Sequence, residues 1–156
     1  MRQHALLILA VGWMAVVGGQ IARADIPENQ AIKQDRLLYK GTWRVVSLEM
    51  DGVKASSTDI GTITVANQAD GTWIVKFEGK EVARGTSRIY PMQNPKAIDI
   101  TGIGEGGQET AFLGIYALQG DSRKVCFSPF GKDRPTEFSS RPGSGHILIV
   151  FEREKK

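Results

Sequence analysis

From residue 41 to the end of the chain, side-chain character changes at every second residue, and no intervening stretch carries helical periodicity. A period of two places alternate side chains on opposite faces of a strand. Parallel strands need long, usually helical crossovers. With none available, what remains is an antiparallel meander, closed as a barrel or stacked as a sandwich. Turn residues divide the pattern into about eight strands: 42–50, 60–66, 72–78, 81–90, 97–101, 109–118, 122–128 and 145–154. The first ends at Asp51-Gly52, a hairpin signal because both central residues of a type I′ turn take positive φ. A glycine-rich loop, 102–108, separates the fifth strand from the sixth.

The alternation is clean in places. Trp73, Val75 and Phe77 oppose Thr72, Ile74 and Lys76, and Ile98 and Ile100 oppose Asp99. Val45-Val46 and the run from Ile147 to Phe151 are apolar on both faces. Such strands belong where the barrel is covered, by the lead-in or by a partner. Ahead of Gly41, the spacing of Ile32 to Leu38 and of Asp35 to Tyr39 predicts a short helix within 25–40.

The first 24 residues read as a cleaved export signal. Met1-Arg2-Gln3-His4 is a cationic start, Ala5 to Val17 is apolar, and Ala22-Arg23-Ala24 supplies small residues for a peptidase. The apolar run falls short of the ~20 residues of a membrane span, and an uncleaved anchor is the alternative. Cleavage near Ala24 places the mature chain outside the cytoplasm, periplasmic or extracellular, with no stable span. It also removes Arg2 and Arg23 and no acid, so the whole chain's net charge of +3 falls to +1. A near-neutral domain without basic runs gives no electrostatic case for nucleic acid. The remaining residues, 25–40 as helical lead-in and 41–156 as barrel, suit one core. The single cysteine, Cys126, excludes an internal disulfide and reads as a buried, inert thiol between Val125 and Phe127.

Leu37-Leu38-Tyr39-Lys40-Gly41-Thr42-Trp43, Asp51-Gly52, Gly114-Ile115-Tyr116, Gly120-Asp121, Cys126, Arg134-Pro135-Thr136-Glu137-Phe138 and the closing Val150-Phe151-Glu152-Arg153 span nearly the whole mature chain. Together they resemble a lipocalin-like family of small, uncharacterised exported domains abundant in planctomycete bacteria. The Arg-Pro-Thr-Glu-Phe segment is the most specific part. The resemblance implies an up-and-down β-barrel of about eight strands, with Trp43 plugging the closed end and Arg153 lying across its ring. A guanidinium over an indole is worth ~1–2 kcal/mol. The family brings no established activity. One position departs from it, with Arg123 where an apolar residue is usual. Arg123 shares a face with Val125, and Lys124 with Cys126. Either cation can therefore face inward, where it would meet a ligand carboxylate. The reading adopted is that this residue lies beyond the core and is solvated.

Catalytic groups are sparse. His146, the one histidine left after processing, has no second histidine or cysteine nearby and makes no metal site. Gly143-Ser144-Gly145 is not a nucleophile elbow. The 102–107 glycines lack the Lys-Ser/Thr of a phosphate loop, and Asp51, Asp70 and Asp121 are hairpin residues rather than a calcium loop. Arg134 and Glu137 are expected to pair as a latch on the long connection 128–144.

The sequence therefore predicts an all-β, lipocalin-like barrel that binds a small, mainly apolar ligand. Trp43, Val45, Phe77, Ile98, Tyr116 and Val125 line its interior, and the Tyr116 hydroxyl can orient the ligand. No catalytic residue, metal or cofactor is assigned, and the protein is not read as an enzyme. The alternative is a structural or protein-interaction domain with a packed core, meeting an envelope protein through its surface.

Overall fold

The computed structural model describes residues 27–103 and 107–155, so the expected export signal and residues 104–106 of the glycine loop lie outside the described residues. A helix, α1 (Glu28–Tyr39), leads directly into β1 (Gly41–Met50). After a tight turn come β2 (Val53–Lys54) and a one-turn helix, α2 (Ser57–Ile60). The rest is a meander of β3 (Ile63–Asn67), β4 (Thr72–Phe77), β5 (Lys80–Tyr90), β6 (Ala97–Ile103), β7 (Glu109–Gln119), β8 (Ser122–Phe127) and β9 (Ile147–Arg153).

Every pairing is antiparallel. β1 pairs with β3, each later strand pairs with the next, and β9 returns to β1. Eight strands thus close an up-and-down barrel, and the two-residue β2 stands outside it on the end of β1. The Asp51-Gly52 turn joining β1 to β2 has positive φ at both residues, +50° and +81°. The segment read as the start of a strand at Ile60 is instead helical. Ser56 accepts from the Asp59 amide while Asp59 accepts from the Ser56 amide, a reciprocal cap that holds the turn.

The doubly apolar first strand has a local cause. Val45 pairs with Phe151, but the next partners are Ser47 and Val150, so Val46 is an extra residue in the ladder. This bulge resets the alternation and puts Val45 and Leu48, rather than Val45 and Ser47, opposite the inward residues Phe151 and Ile149.

The last strand's apolar outer face has a different explanation. The connection 128–146, without regular structure, folds back over the outside of β6 to β9. Ser128 donates its amide to the Leu113 carbonyl at 2.9 Å, and the Cys126 thiol meets the Ser139 carbonyl at 3.4 Å. Ser140 accepts from the Gly52 amide at 3.1 Å and donates to the His146 carbonyl at 2.8 Å. Ala97, Ile115 and Cys126 are consequently fully buried although they point away from the barrel interior.

Candidate functional site

One end of the barrel is sealed by the chain's own entry segment. Asp35 and Tyr39, one helical turn apart, are the buried residues of α1, while Leu37 and Leu38 face solvent. Beside them Trp43 is wholly buried, its indole nitrogen donating to the Tyr39 carbonyl at 2.9 Å. Arg153 lies over the Trp43 ring, 4.1 Å from its centre. Its two terminal nitrogens donate to the carbonyls of Leu38 and Lys40, both at 2.7 Å, and Nε lies 3.3 Å from Asp121. Those carbonyls mark the C-terminal end of α1, where a cation is favoured by the helix dipole. The last strand therefore clamps the helix, the first strand and the β7–β8 turn together.

A second contact fixes the plug from the other side. The Tyr116 hydroxyl donates to Asp35 Oδ2 at 2.7 Å, and Lys96 Nζ reaches the same oxygen at 2.7 Å. Tyr116 is therefore not available to orient a ligand, as the sequence reading had it. Burial, and then its bond to Asp35, push the Tyr116 hydroxyl well above the ordinary tyrosine range. The consequence for pH has a definite sign. An unfolded tyrosine ionises near pH 10, where folded Tyr116 keeps its proton, so the unfolded state holds fewer protons and stability falls as pH rises above about 10. Urea unfolding of wild type and Tyr116→Phe on either side of that pH checks this. The variant starts about 1–2 kcal/mol less stable, and its alkaline decline should be shallower. Parallel declines would remove Tyr116 from the account.

Above this floor lies a cavity of about 190 Å³, lined chiefly by Val65, Trp73, Val75, Ile98, Ile100, Val125, Phe127 and Ile149, with Tyr39, Asn67, Arg123 and Phe151 at its base. Of the six lining residues expected from sequence, Ile98 and Val125 border it. Trp43, Val45 and Tyr116 are buried in the surrounding core but do not border it. Phe77 is 38 % exposed, at the far end of β4 beside the β4–β5 turn. Three glycines shape the chamber. A Cβ on Gly114 would stand 2.4 Å from the Phe127 ring, and Gly85 and Gly102 make room for the Trp73 indole.

Arg123 overturns the expectation that it is solvated. It is 2 % exposed and paired in register with Phe151 on the inner face. Its guanidinium stacks within 4.4 Å of the Tyr39 ring centre, 4.7 Å of Trp43 and 4.1 Å of Phe151. One terminal nitrogen donates to Asn67 Oδ1 at 2.6 Å. Nε is buried and, among the described residues, without an acceptor. Among the described residues no carboxylate ion-pairs with it. Burial, and to a lesser extent the nearby positive Arg153, press its pKa downward, while Tyr39 acts the other way. Arginine nevertheless remains charged in proteins. Sequence alternation left open whether Arg123 or Lys124 faces inward, and nothing in the sequence marked the depth of either.

Outside the barrel, Arg134 and Glu137 do not form the expected latch with each other. Arg134 reaches across to the sheet, pairing with Asp99 at 2.7 Å and donating to the carbonyls of Ile98 and Gly114 at 3.1 and 2.8 Å. Glu137 pairs with Arg141 at 2.9 Å in the same connection. The sheet offers Arg134 a carboxylate and two carbonyls at once, which one exposed glutamate cannot match. Asp99 also accepts from the Tyr90 hydroxyl at 2.9 Å. Among the described residues the His146 ring bonds to the Ser139 carbonyl alone, through Nδ1 at 3.3 Å, and Ser144 bonds to the Arg141 carbonyl and the His146 amide. Burial raises the Cys126 thiol above its ordinary range.

Among the described residues no cluster of three or more potential metal ligands occurs, and no helix is long and apolar enough to cross a membrane. Comparison with family models, with curated proteins and with solved structures finds no match.

Proposed function

We propose that this chain is an exported, lipocalin-like container whose barrel holds one small, mainly apolar molecule. The observation that carries the reading is the internal chamber of about 190 Å³ bounded mostly by aliphatic and aromatic side chains. An engineered apolar cavity of about 150 Å³ takes up benzene, so this space suits a ligand of similar girth without rearrangement. The family resemblance supports the same architecture. The cationic start, apolar run and Ala-Arg-Ala at residues 22–24 support export.

The apolar outer faces that motivated a protein-interaction role are partly accounted for by the chain's own 128–146 segment, which makes the container the better reading. Thermal unfolding with a panel of short apolar molecules tests it. A ligand at ~100 times its Kd adds about 2.7 kcal/mol, and Ala83→Phe, which fills the chamber from β5, should remove the gain. No stabilisation by any member of the panel would defeat the proposal.

A further inference from the structure

Arg123 is an expensive residue to keep where it is. A guanidinium withdrawn from water without a counter-ion carries a desolvation cost that aromatic faces offset only in part. At this depth an apolar side chain of similar length would fill the space without that cost. Asn67 engages one edge of the guanidinium, and three ring contacts at 4.1–4.7 Å hold it in place at the base of the chamber. Among the described residues the buried Nε–H has no acceptor, and the neighbouring cation Arg153 adds to the positive field. Beyond Asn67, the chamber's other polar side-chain groups are the Tyr39 hydroxyl at its base, the Trp73 indole N–H, which donates to the Thr86 carbonyl, and Ser87 on β5, whose hydroxyl is already engaged by Arg36 and the Gly71 carbonyl.

We propose that Arg123 is the anion-binding group of this chamber, and that the ligand is a small monocarboxylate whose apolar tail extends away from the floor between Val65, Val75, Ile100 and Ile149. The proposal rests on the container reading and sharpens it by fixing the charge and polarity of the occupant. A carboxylate is planar and accepts through both oxygens, which matches the guanidinium edge. It would neutralise a buried charge that borders the chamber and, among the described residues, has no carboxylate partner. The size of the chamber favours short acids over long-chain lipids.

The experiment compares sodium octanoate with 1-octanol, which share a chain length and differ in charge. Binding is measured by titration calorimetry on wild type, Arg123→Met and Asn67→Asp. Wild type should bind octanoate about tenfold or more tightly than octanol, since a charge-assisted contact distinguishes them. Arg123→Met should bring the two affinities together. Asn67→Asp places an internal carboxylate where Arg123 already has a partner at 2.6 Å. It should raise the melting temperature and abolish octanoate binding while retaining octanol.

Equal affinities in wild type would overturn the assignment of Arg123 and leave the container standing. Failure of both probes to bind would bring down the container as well. Should Arg123→Met fail to fold, the wild-type comparison and Asn67→Asp still decide the question. A structural role for Arg123 alone predicts no octanoate preference in any of the three proteins.

Discussion

Trp43→Ala is expected to lower stability by about 4–6 kcal/mol, combining the loss of a fully buried indole with the loss of its stacked cations. Trp43 is wholly buried, bonds to the Tyr39 carbonyl, and carries Arg153 and Arg123 over its ring. Removing the ring leaves two guanidinium groups facing a void and one backbone carbonyl without its donor. Domains are commonly stable by only about 5–15 kcal/mol, so the variant should unfold at low urea or fail to fold cooperatively. Trp43→Phe retains much of the volume and loses the indole N–H, and should cost less. Urea titration followed by circular dichroism reads both. A Trp43→Ala protein within about 1 kcal/mol of wild type, well below the usual cost of truncating a buried aromatic, would show that the floor is sealed by α1 rather than by this residue.

Gly85→Ala should be the most damaging single-methyl change in the barrel. The added Cβ would lie 1.9 Å from the Thr101 carbonyl oxygen and 2.5 Å from the Trp73 ring. The first of these is backbone of the adjoining strand, so relief requires opening the β5–β6 ladder or expelling Trp73. Overpacking of this kind costs about 3 kcal/mol or more. Gly102, paired with Gly85 across the same ladder, offers an internal control. Its added Cβ would crowd the edge of the Trp73 ring, at 3.1 and 3.3 Å, and meet the Arg84 carbonyl at an ordinary 3.7 Å, so a few tenths of an ångström of ring movement would accommodate it. Thermal melts of Gly85→Ala and Gly102→Ala should therefore separate widely. Similar melting temperatures would mean that the two glycines serve the ring alike and that the ladder is not under steric control.

Strand order and side-chain facing were readable because both follow from local chemistry. Asp51-Gly52 and Gly120-Asp121 marked hairpins, and alternation from Trp73 to Phe77 identified the inner face of β4. Depth along the barrel axis was not readable, since residues on one face of a strand share a pattern whether they lie at the floor, in the chamber or at the rim. Trp43 and Tyr116 therefore fell in the surrounding core and Phe77 beyond the chamber. The same blindness hid Arg123, whose character suggested water and whose partners, Tyr39, Asn67 and Phe151, come from α1, β3 and β9. Arg134 is the mirror case on the outside. Its near neighbour Glu137 was visible in the sequence, whereas Asp99 and the carbonyls of β6 and β7 came within reach only through folding. At Val45-Val46 a bulge broke the periodicity on which the reading depended.

The seam between β1 and β9 bears on how the molecule comes into being. Arg44 and Glu152 face each other across it at 3.1 Å although 108 positions apart. Bringing such distant segments together carries a length-dependent entropic cost of about 4 kcal/mol, repaid only once the ladder zips. Until then both edges remain open to pairing with other chains, and contacts this non-local slow maturation. The hazardous interval for this protein is thus the one before its cylinder shuts, when a holding chaperone would matter most.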